Sequence, residues 1–303
     1  MEMLKFSKAL SDEIRIRLLA MLRETELNVG EVVQVLGMSQ PRVSRHLKIL
    51  HESGLLESRR EGLWNFYRLA RSGAGSRFAE SIGWLLEDEP EIAEDSRRVA
   101  RVLAERNMET RKFFDEIAED WERLQRDVFG GFNLNEELVS IAGSCSVAVD
   151  LGCGNGALLE AMLAGCRSVI GVDSSPKMLE LAESRIGANP RVSLRIGELT
   201  HLPLRDWEAD FAVISMVLHH LPRPDKAVSE AARTLSSGGK LVIADFLVHS
   251  NERMRSEYGD RRLGFTEEEL AGWINEAGMG AMDIRRFPVN EGLTVLVCIS
   301  EKQ

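Results

Sequence analysis

Cysteine is scarce in this sequence, and long apolar runs are missing from it. The cysteines are Cys145, Cys153, Cys166 and Cys298, and none has C-x-x-C spacing. They indicate reduced thiols and exclude a disulfide scaffold. No run of roughly 18 apolar residues marks a membrane span, and the first residues lack the apolar stretch of a signal peptide. We therefore expect a cytoplasmic protein that makes no membrane contact.

Acidic residues outnumber basic ones, but the excess is uneven. The chain has 303 residues, enough for two domains, and a net charge of -10. Residues 1–71 hold 12 Lys and Arg against 9 Asp and Glu, whereas the remainder holds 26 against 39. Within 42–71 the counts are 7 against 3. This local basic excess favours a nucleic-acid-binding face there, and the acidic remainder should stay away from phosphate.

The N-terminal part predicts two helices joined by a tight turn. Ser11 is the expected N-cap of an earlier helix, and a short Val- and Leu-rich helix follows over about 29–36. Gly37 and Met38 make the turn, and Ser39 can cap the next helix. Gly54 ends that helix. This order predicts a helix-turn-helix.

The second helix of this pair has two different faces. Val43, Leu47 and Leu50 form an apolar stripe for the core. The opposite face is polar and basic, as expected for a helix that reads DNA. The candidate DNA-binding residues on it are Ser39, Gln40, Arg42, Ser44, Arg45, His46 and Lys48.

A β-hairpin wing is predicted after this helix. Residues 55–60 and 63–69 have strand character and flank Glu61-Gly62. Arg59 and Arg60 lie near the tip, where they could reach phosphate or a minor groove. The alternative is a solvated basic helix beside a hairpin, but the order of helix, turn and wing favours a winged helix.

These motifs resemble the ArsR family of winged-helix repressors. The resemblance spans about residues 5–85 and is strongest over 39–56. It implies a homodimer that pairs through the first helix and the helix near 76–86. Such a dimer binds a near-palindromic, double-stranded DNA operator.

One departure from that family concerns metal sensing. Many metal-sensing relatives carry Cys-x-Cys just before the helix-turn-helix, where this chain has Asn28 and Gly30. Neither residue supplies a thiolate. The histidines show no H-x-x-x-H pairing, and we expect the adjacent His219 and His220 to point apart. The sequence therefore predicts no metal site, and the signal must come from elsewhere.

The joining segment is strongly charged. Residues 87–91 indicate a boundary, with Pro90 stopping a helix. An amphipathic helix is predicted from its apolar positions, which are Phe113, Phe114, Ile117, Trp121 and Leu124. We prefer a lid or docking helix over a simple spacer. The predicted division is a DNA-binding and dimerisation domain at 1–86, a helical linker at 87–112 and a second domain at 113–303.

The second domain alternates apolar runs with helical stretches. Strands are predicted at 147–151, 168–172, 192–196, 210–215, 240–245, 282–287 and 294–299. Helices are predicted between them, for example at 157–164, 176–186, 225–235 and 266–277. This alternation predicts an α/β, Rossmann-like domain with seven strands, mainly parallel and covered on both faces. A ligand should bind at the carboxyl ends of the first strands.

The loop after the first of these strands is rich in glycine. Residues 150–157 fit G-x-G-x-x-A, so a dinucleotide site is one alternative. However, Gly156 adds a further glycine, and Asp150 would repel a pyrophosphate but attract an ammonium group. Asp173 ends the second strand and suits a ribose diol. Together these features favour a cationic nucleoside with an amino-acid tail.

Residues from about 113 to 300 resemble class I S-adenosylmethionine-dependent methyltransferases, near the quinone-methylating subgroup. Residues 149–156 match the cofactor loop, Asp173 matches the ribose-binding acid, and Glu198 replaces the more frequent Asp near the adenine. Residues 215–221 and 235–245 match later motifs. The resemblance implies binding of S-adenosylmethionine or S-adenosylhomocysteine. The implied cofactor-binding residues are Asp150, Gly152, Cys153, Gly154, Asn155, Gly156, Asp173, Ser174, Met178, Gly197, Glu198, Leu199, Ser215, Met216 and His220.

Methyl transfer depends more on positioning than on dedicated acid–base residues, so the sequence identifies no catalytic residue. A stretch that could line a substrate pocket, or be a charged surface turn, consists of Tyr258, Asp260, Arg261, Arg262 and Phe265. Neither Cys153 nor Cys166 has a nearby cysteine in sequence to indicate arsenite methylation.

The leading hypothesis is a repressor whose effector is one of the two cofactor forms, with methionine-cycle genes as the favoured targets. The second is an active methyltransferase that acts on a small molecule or metalloid and regulates its own operon. The third and weakest is a metal-responsive repressor.

Overall fold

The computed structural model describes residues 1–61, 64–86, 89–118 and 121–303, without the side chains of six residues in these ranges (61, 107, 109, 121, 122 and 124). The predicted turn at Gly62, the predicted boundary at Glu87 and the side chains of Trp121 and Leu124 lie outside this description. Contacts divide the chain into unit 1, Met1–Met108, and unit 2, Glu109–Gln303.

The helices of unit 1 match the predicted helix-turn-helix. They are α1 (Glu2–Ala9), α2 (Glu13–Glu24), α3 (Val29–Leu36), α4 (Gln40–Ser53) and α5 (Gly73–Ile82), followed by a 3₁₀ turn (Gly83–Leu86). Helix α6 (Pro90–Ile117) begins in unit 1 and ends in unit 2. The helical segment before Pro90 ends at Leu86, and the helical pattern predicted after Pro90 is present as α6. Pro90 occupies the first position of α6, where a missing N–H removes no helical hydrogen bond.

Local capping explains where these helices begin. Asp12 caps α2 by accepting a hydrogen bond from the Arg15 N–H, so the expectation for Ser11 is wrong by one residue. Asn28 caps α3: its side chain accepts from the Glu31 N–H at 3.0 Å, and the Glu31 carboxylate accepts from the Asn28 N–H at 2.8 Å. Such reciprocal capping satisfies two otherwise unpaired donors. Ser39 precedes α4 but makes no capping bond with its side chain.

The strands of unit 1 form the predicted hairpin and one further strand. Strand β2 (Leu56–Glu61) pairs antiparallel with β3 (Trp64–Leu69), placing Arg59 opposite Phe66. Strand β1 (Leu27–Asn28) pairs with the other edge of β3 and was not predicted. A strand of two residues is too short to show an alternating pattern in the sequence.

The core of unit 1 takes the apolar stripe of α4. Val43, Leu47 and Leu50 are fully buried, as predicted. Val99 and Val102 of α6 join the same core. This part of the segment predicted as a linker therefore packs within unit 1.

Unit 2 is built on a seven-stranded sheet in the order β6-β5-β4-β7-β8-β10-β9. The strands are β4 (Cys145–Leu151), β5 (Cys166–Asp173), β6 (Val192–Ile196), β7 (Ala209–Ser215), β8 (Leu235–Phe246), β9 (Asp283–Pro288) and β10 (Thr294–Glu301). Strands β4 to β8 pair in parallel, and β10 pairs antiparallel with both β8 and β9. Each of the seven predicted strands is present, and the predicted mainly parallel sheet is confirmed.

Helices cover both faces of this sheet. They are α7 (Trp121–Phe129), α8 (Leu134–Ala142), α9 (Ala157–Met162), α10 (Pro176–Ile186), α11 (Pro224–Thr234), α12 (Arg253–Tyr258) and α13 (Glu267–Glu276). One apolar cluster includes Val149, Leu270 and Trp273, and a second includes Leu138 and Phe211. In the described part of the chain, no helix is long and apolar enough to cross a membrane. The carboxyl ends of β4, β5 and β7 meet at one edge of the sheet, which positions the site.

Candidate functional site

A cavity of about 120 Å³ opens at the carboxyl ends of β4, β5 and β7. Most of the implied cofactor-binding residues line this cofactor cavity, namely Asp150, Gly152, Cys153, Gly154, Asn155, Asp173, Ser174, Met178, Glu198, Leu199, Ser215, Met216 and His220. Parallel strands bring these residues together because Asp150 on β4 is in register with Gly171 on β5 and Val213 on β7. Their role in cofactor binding stays a prediction.

The glycine loop gives the cavity an open floor. The Gly152 and Cys153 N–H groups donate to the Val172 carbonyl at 2.7 and 3.0 Å, which folds the loop back on β5. Gly152 has a φ of 87°, and a Cβ there would lie 2.5 Å from Val217. Gly154 also has a positive φ, but a Cβ there would meet nothing within 4 Å. The backbone at Gly154 therefore faces space that a ligand can approach closely.

Two carboxyl groups, the buried Asp150 and the partly buried Asp173, set the electrostatics of the cavity. Asp173 accepts hydrogen bonds from the Gly154 N–H at 2.9 Å and the Ser175 N–H at 2.8 Å. Burial raises the pKa of Asp173, although these bonds oppose the rise. Burial and the nearby Asp173 raise the pKa of Asp150 to about 8. A ligand that carries positive charge would favour the ionised form of Asp150. The residues present thus fit a cationic nucleoside.

Gly156 and Gly197, both expected to bind the cofactor, lie outside the cavity lining. A Cβ on Gly156 would lie 2.9 Å from Ala182, so this glycine allows α9 to approach α10. A Cβ on Gly197 would lie 2.5 Å from Pro203. Both glycines are required by protein packing.

Other residues of the lining were missed by sequence reasoning. They are Thr110, Phe114, Gln125, Asn135, Ala157, Leu158, Val217 and Leu221. Phe114, predicted only to lie on the apolar face of a docking helix, meets the His220 ring edge-on with centroids 4.7 Å apart. Arg111 on the same helix pairs with Glu198 at 2.7 Å. The amphipathic pattern of this helix was the sequence signal that could have placed Phe114 in the lining.

His219 and His220 do not point apart, contrary to the prediction. They lie on a 3₁₀ turn (Leu218–His220) with ring centroids 4.0 Å apart, and both are buried. His219 Nδ1 lies 2.7 Å from Asp245 Oδ1, and its Nε2 lies 3.4 Å from Asp260 Oδ1. Burial opposes the charge on His219, but the two carboxylates outweigh it and raise the pKa of His219 to about 9. Burial and the neighbouring His219 hold the pKa of His220 well below its usual value.

The residues considered for a substrate pocket separate into two groups. Tyr258 and Asp260 line a second cavity of about 30 Å³ together with His219 and His220. By contrast, the Arg262 guanidinium lies 4.7 Å from the centre of the Phe265 ring and pairs with Glu269.

The helix expected to read DNA presents most of its polar residues to solvent. Those exposed are Ser39, Gln40, Arg42, Arg45 and Lys48, and Ser44 is partly exposed. His46 differs, because its side chain is mostly buried and its Nδ1 lies 3.6 Å from Asp12. His46 is thus the one predicted member that turns towards the unit. On the hairpin, Arg60 is exposed, whereas Arg59 pairs with Glu26 at 2.9 Å.

Two family models match separate parts of the chain. The model for the arsR family of bacterial regulatory proteins matches residues 12–58, which include α2 to α4. The model for a methyltransferase domain matches residues 149–243, which include the glycine loop. Both resemblances drawn from the sequence are therefore confirmed.

Individual relatives divide in the same way. A 37.1 kDa protein of transposon Tn4556 from Streptomyces fradiae is 40% identical over 101 residues, covering 32% of this chain and 29% of that protein. An uncharacterised methyltransferase of Anoxybacillus flavithermus is 30% identical over 171 residues, covering 52% and 78%. The arsenic resistance transcriptional regulator ArsR1 of Pseudomonas putida is 49% identical over 63 residues, covering 20% and 49%. The chain thus spans under a third of the first relative and about half of the last.

The fold of unit 2 also occurs in solved structures. An S-adenosylmethionine-dependent methyltransferase from Thermotoga maritima matches with a TM-score of 0.51 at 21% identity, over 64% of this chain and 100% of that chain. This likeness concerns the fold alone. The sequence matches themselves show that this chain joins a domain of the arsR family of bacterial regulatory proteins to a domain of the methyltransferase family.

Proposed function

We propose that the chain is a transcriptional repressor whose methyltransferase domain binds S-adenosylmethionine or S-adenosylhomocysteine as the effector. One observation carries this proposal: a cavity suited to the cofactor coexists with an exposed basic helix in one chain, while a helix-capping Asn28 stands where metal-sensing relatives carry a thiolate. A regulator with that architecture has a small-molecule input in place of the usual metal.

Cofactor binding is assigned to residues of the cavity. Asp173 would accept hydrogen bonds from the ribose diol, and Asp150 would neutralise the ammonium of the amino-acid tail. The open backbone at Gly154 would pass close to the ligand, and Glu198 would contact the adenine. When bound, S-adenosylmethionine supplies a methyl group on a positively charged sulfur. The two effector forms differ by that methyl group and charge.

Helix α6 is our candidate for the coupling element. Its residues Val99 and Val102 belong to the core of unit 1, and its residues Thr110 and Phe114 line the cofactor cavity of unit 2. A ligand that binds the DNA-competent state tenfold more tightly than the released state supplies about 1.4 kcal/mol of coupling.

DNA recognition would use a homodimer with a winged helix-turn-helix in each subunit. Helices α1 and α5 are the proposed dimer surface, since Phe6 and Phe78 join them with ring centroids 5.0 Å apart. Apolar side chains more than half exposed lie on α1 (Met3, Leu4) and just after α5 (Trp84, Leu85). Exposed apolar groups of this kind favour a partner surface. The resulting pair of reading helices would bind a near-palindromic operator, with methionine-cycle genes as proposed targets.

The test is an operator-binding titration with each ligand. A DNA fragment from upstream of the gene is titrated with the full chain, alone and with saturating S-adenosylmethionine or S-adenosylhomocysteine. We expect one ligand to change the operator Kd by about tenfold. An Asp173→Asn variant should keep the basal Kd and lose the ligand effect. If neither ligand changes the Kd of the parent protein, the sensing proposal is wrong.

An active methyltransferase is the second candidate. The buried group of His219, Asp245 and Asp260 beside the cofactor cavity favours it, because a sensor alone has no need for these charges. This candidate predicts that radiolabelled methyl groups move from S-adenosylmethionine to a small-molecule or metalloid acceptor. If no labelled product forms with any of these acceptors while the ligand binds, the methyltransferase candidate is wrong and only the sensor candidate remains.

A further inference from the structure

Buried polar atoms without hydrogen-bond partners mark the second cavity. Among the described residues, His220 Nε2 and both carboxylate oxygens of Asp260 are buried and make no hydrogen bond. His219 Nε2 lies 3.4 Å from Asp260 Oδ1, which is an ionic contact only. Unpaired buried polar groups are rare in folded proteins because they have lost water without gaining a partner. Three such atoms in one place form a polar site that the surrounding protein groups do not satisfy.

The far side of each histidine ring is already held. His219 Nδ1 lies 2.7 Å from Asp245 Oδ1, and His220 Nδ1 lies 3.2 Å from the Gly259 carbonyl. Both neighbours are acceptors, so each ring donates its Nδ1–H, and a metal ion would be bound by the deprotonated Nε2. A carboxylate or a backbone carbonyl in this position is the usual outer support of a metal-binding histidine.

We propose that His219, His220 and Asp260 bind one divalent transition-metal ion. One ligand atom from each of the three residues can be chosen so that all three lie within 4.8 Å of one another. Two imidazoles and one carboxylate suit borderline ions such as Zn²⁺, Co²⁺ or Fe²⁺. Three protein ligands would leave at least one coordination position for water or another oxygen ligand.

A protonated His219 held between two carboxylates is the alternative arrangement. It balances charge at Asp245 and Asp260, but it leaves His220 Nε2 without a partner. Metal binding accounts for all three unpaired atoms together. The ion would also lie beside the cofactor cavity, because His220 and Met216 line both cavities. A metal-bound water or hydroxyl group there would become more acidic.

The test uses the full chain after chelator treatment and dialysis. Co²⁺ is titrated while its visible absorption is recorded, Zn²⁺ competition follows, and retained metal is measured by elemental analysis. We expect one ion per chain and absorption bands of nitrogen and oxygen ligation. Asp260→Asn and His219→Gln should each weaken binding at least tenfold. Asp245→Asn should weaken it by about 10- to 100-fold, as for other outer-support residues.

Two controls separate this site from other donors. His201→Gln removes an exposed histidine of unit 2 and should leave the metal Kd unchanged. A double variant, Cys145→Ser with Cys166→Ser, removes neighbouring thiols whose sulfur atoms are 2.6 Å apart. This double variant should also keep the parental metal Kd. If the parent protein shows thiolate-to-cobalt bands and the double variant loses them, the metal binds at the cysteines instead.

The inference is overturned if less than one equivalent binds, or if Asp260→Asn and His219→Gln keep the parental Kd. Circular dichroism and S-adenosylhomocysteine binding verify that each variant folds. The inference is independent of the repressor proposal. The operator titration repeated with chelator-treated protein tests that proposal separately.

Discussion

At the scale of single residues, burial of the Asp150 carboxyl group makes the stability of unit 2 depend on pH. Its pKa in the folded, ligand-free protein is about 8, against 3.8 for an unperturbed group, because burial and Asp173 disfavour the carboxylate. The folded state therefore binds more protons than the unfolded state between these values. The stability of unit 2 should fall as the pH rises from about 4 to about 8.

The Asp150→Asn variant removes this penalty. We expect the variant to melt several degrees above the parent at pH 8 and within a degree or so of it near pH 4, given roughly 2–4 °C per kcal/mol in a domain of this size. Thermal scans across the pH range measure the difference. Asp283→Asn, an exposed carboxyl on β9, is the matched control and should follow the parent. A gain that is the same at every pH would contradict the assigned cause.

Residue positions in the cofactor loop could be predicted because the loop is local in sequence. The two adjacent histidines could not, since a 3₁₀ turn and tight burial bring together rings that a regular element would separate. His46 turns inward towards Asp12, a contact made across helices that periodicity does not show. Phe114 lies far from the loop in sequence, so only the folded chain brings it to the cavity.

At the scale of elements, α4 is the proposed DNA-reading surface. Arg42→Ala or Arg45→Ala should weaken operator binding by about 1–3 kcal/mol, or about 5- to 150-fold, where the arginine contacts a base. Where the arginine contacts phosphate instead, the affinity should fall by a similar factor for all DNA sequences. The slope of log affinity against log salt concentration should then drop in magnitude by about one. Binding isotherms at several salt concentrations on operator and random DNA distinguish these outcomes.

The same α4 experiment has a direct control. Arg167→Ala removes an exposed arginine on β5 of unit 2 and should leave both the affinity and the salt slope unchanged. If Arg42→Ala and Arg45→Ala also leave both unchanged, α4 is not the DNA-reading surface.

Elements with strong periodicity were predictable, and those that depend on a partner were not. The buried strands β4, β5 and β7 stand out as apolar runs, and their predicted positions and parallel pairing are confirmed. Strand β1 exists only because it pairs with β3. Pro90 separates two helical segments and stands at the first position of α6, which its ring geometry suits.

At the scale of the whole molecule, charge and covalent connection both favour a regulator. The basic excess is confined to residues 1–71, so an acidic remainder would not compete for DNA. Helix α6 includes residues of both units, so a ligand-dependent change at its C-terminal end has a covalent route to unit 1. Such coupling must act in both directions, because linked binding equilibria share one coupling free energy.

Saturation with operator DNA should therefore change the affinity for the effector by the same factor by which the effector changes operator affinity. A tenfold effect in one direction requires a tenfold effect in the other, about 1.4 kcal/mol in each. Calorimetric titration of S-adenosylhomocysteine into the full chain, with and without operator, measures the second factor. The Arg42→Ala variant at the same DNA concentration is the control. Because less of this variant is bound to operator, adding operator should change its ligand affinity less. If the two affinities change by unequal factors under matched salt and pH, the ligand acts on DNA binding through a third process, such as a change in dimer assembly. Titrations at several protein concentrations would reveal such a change.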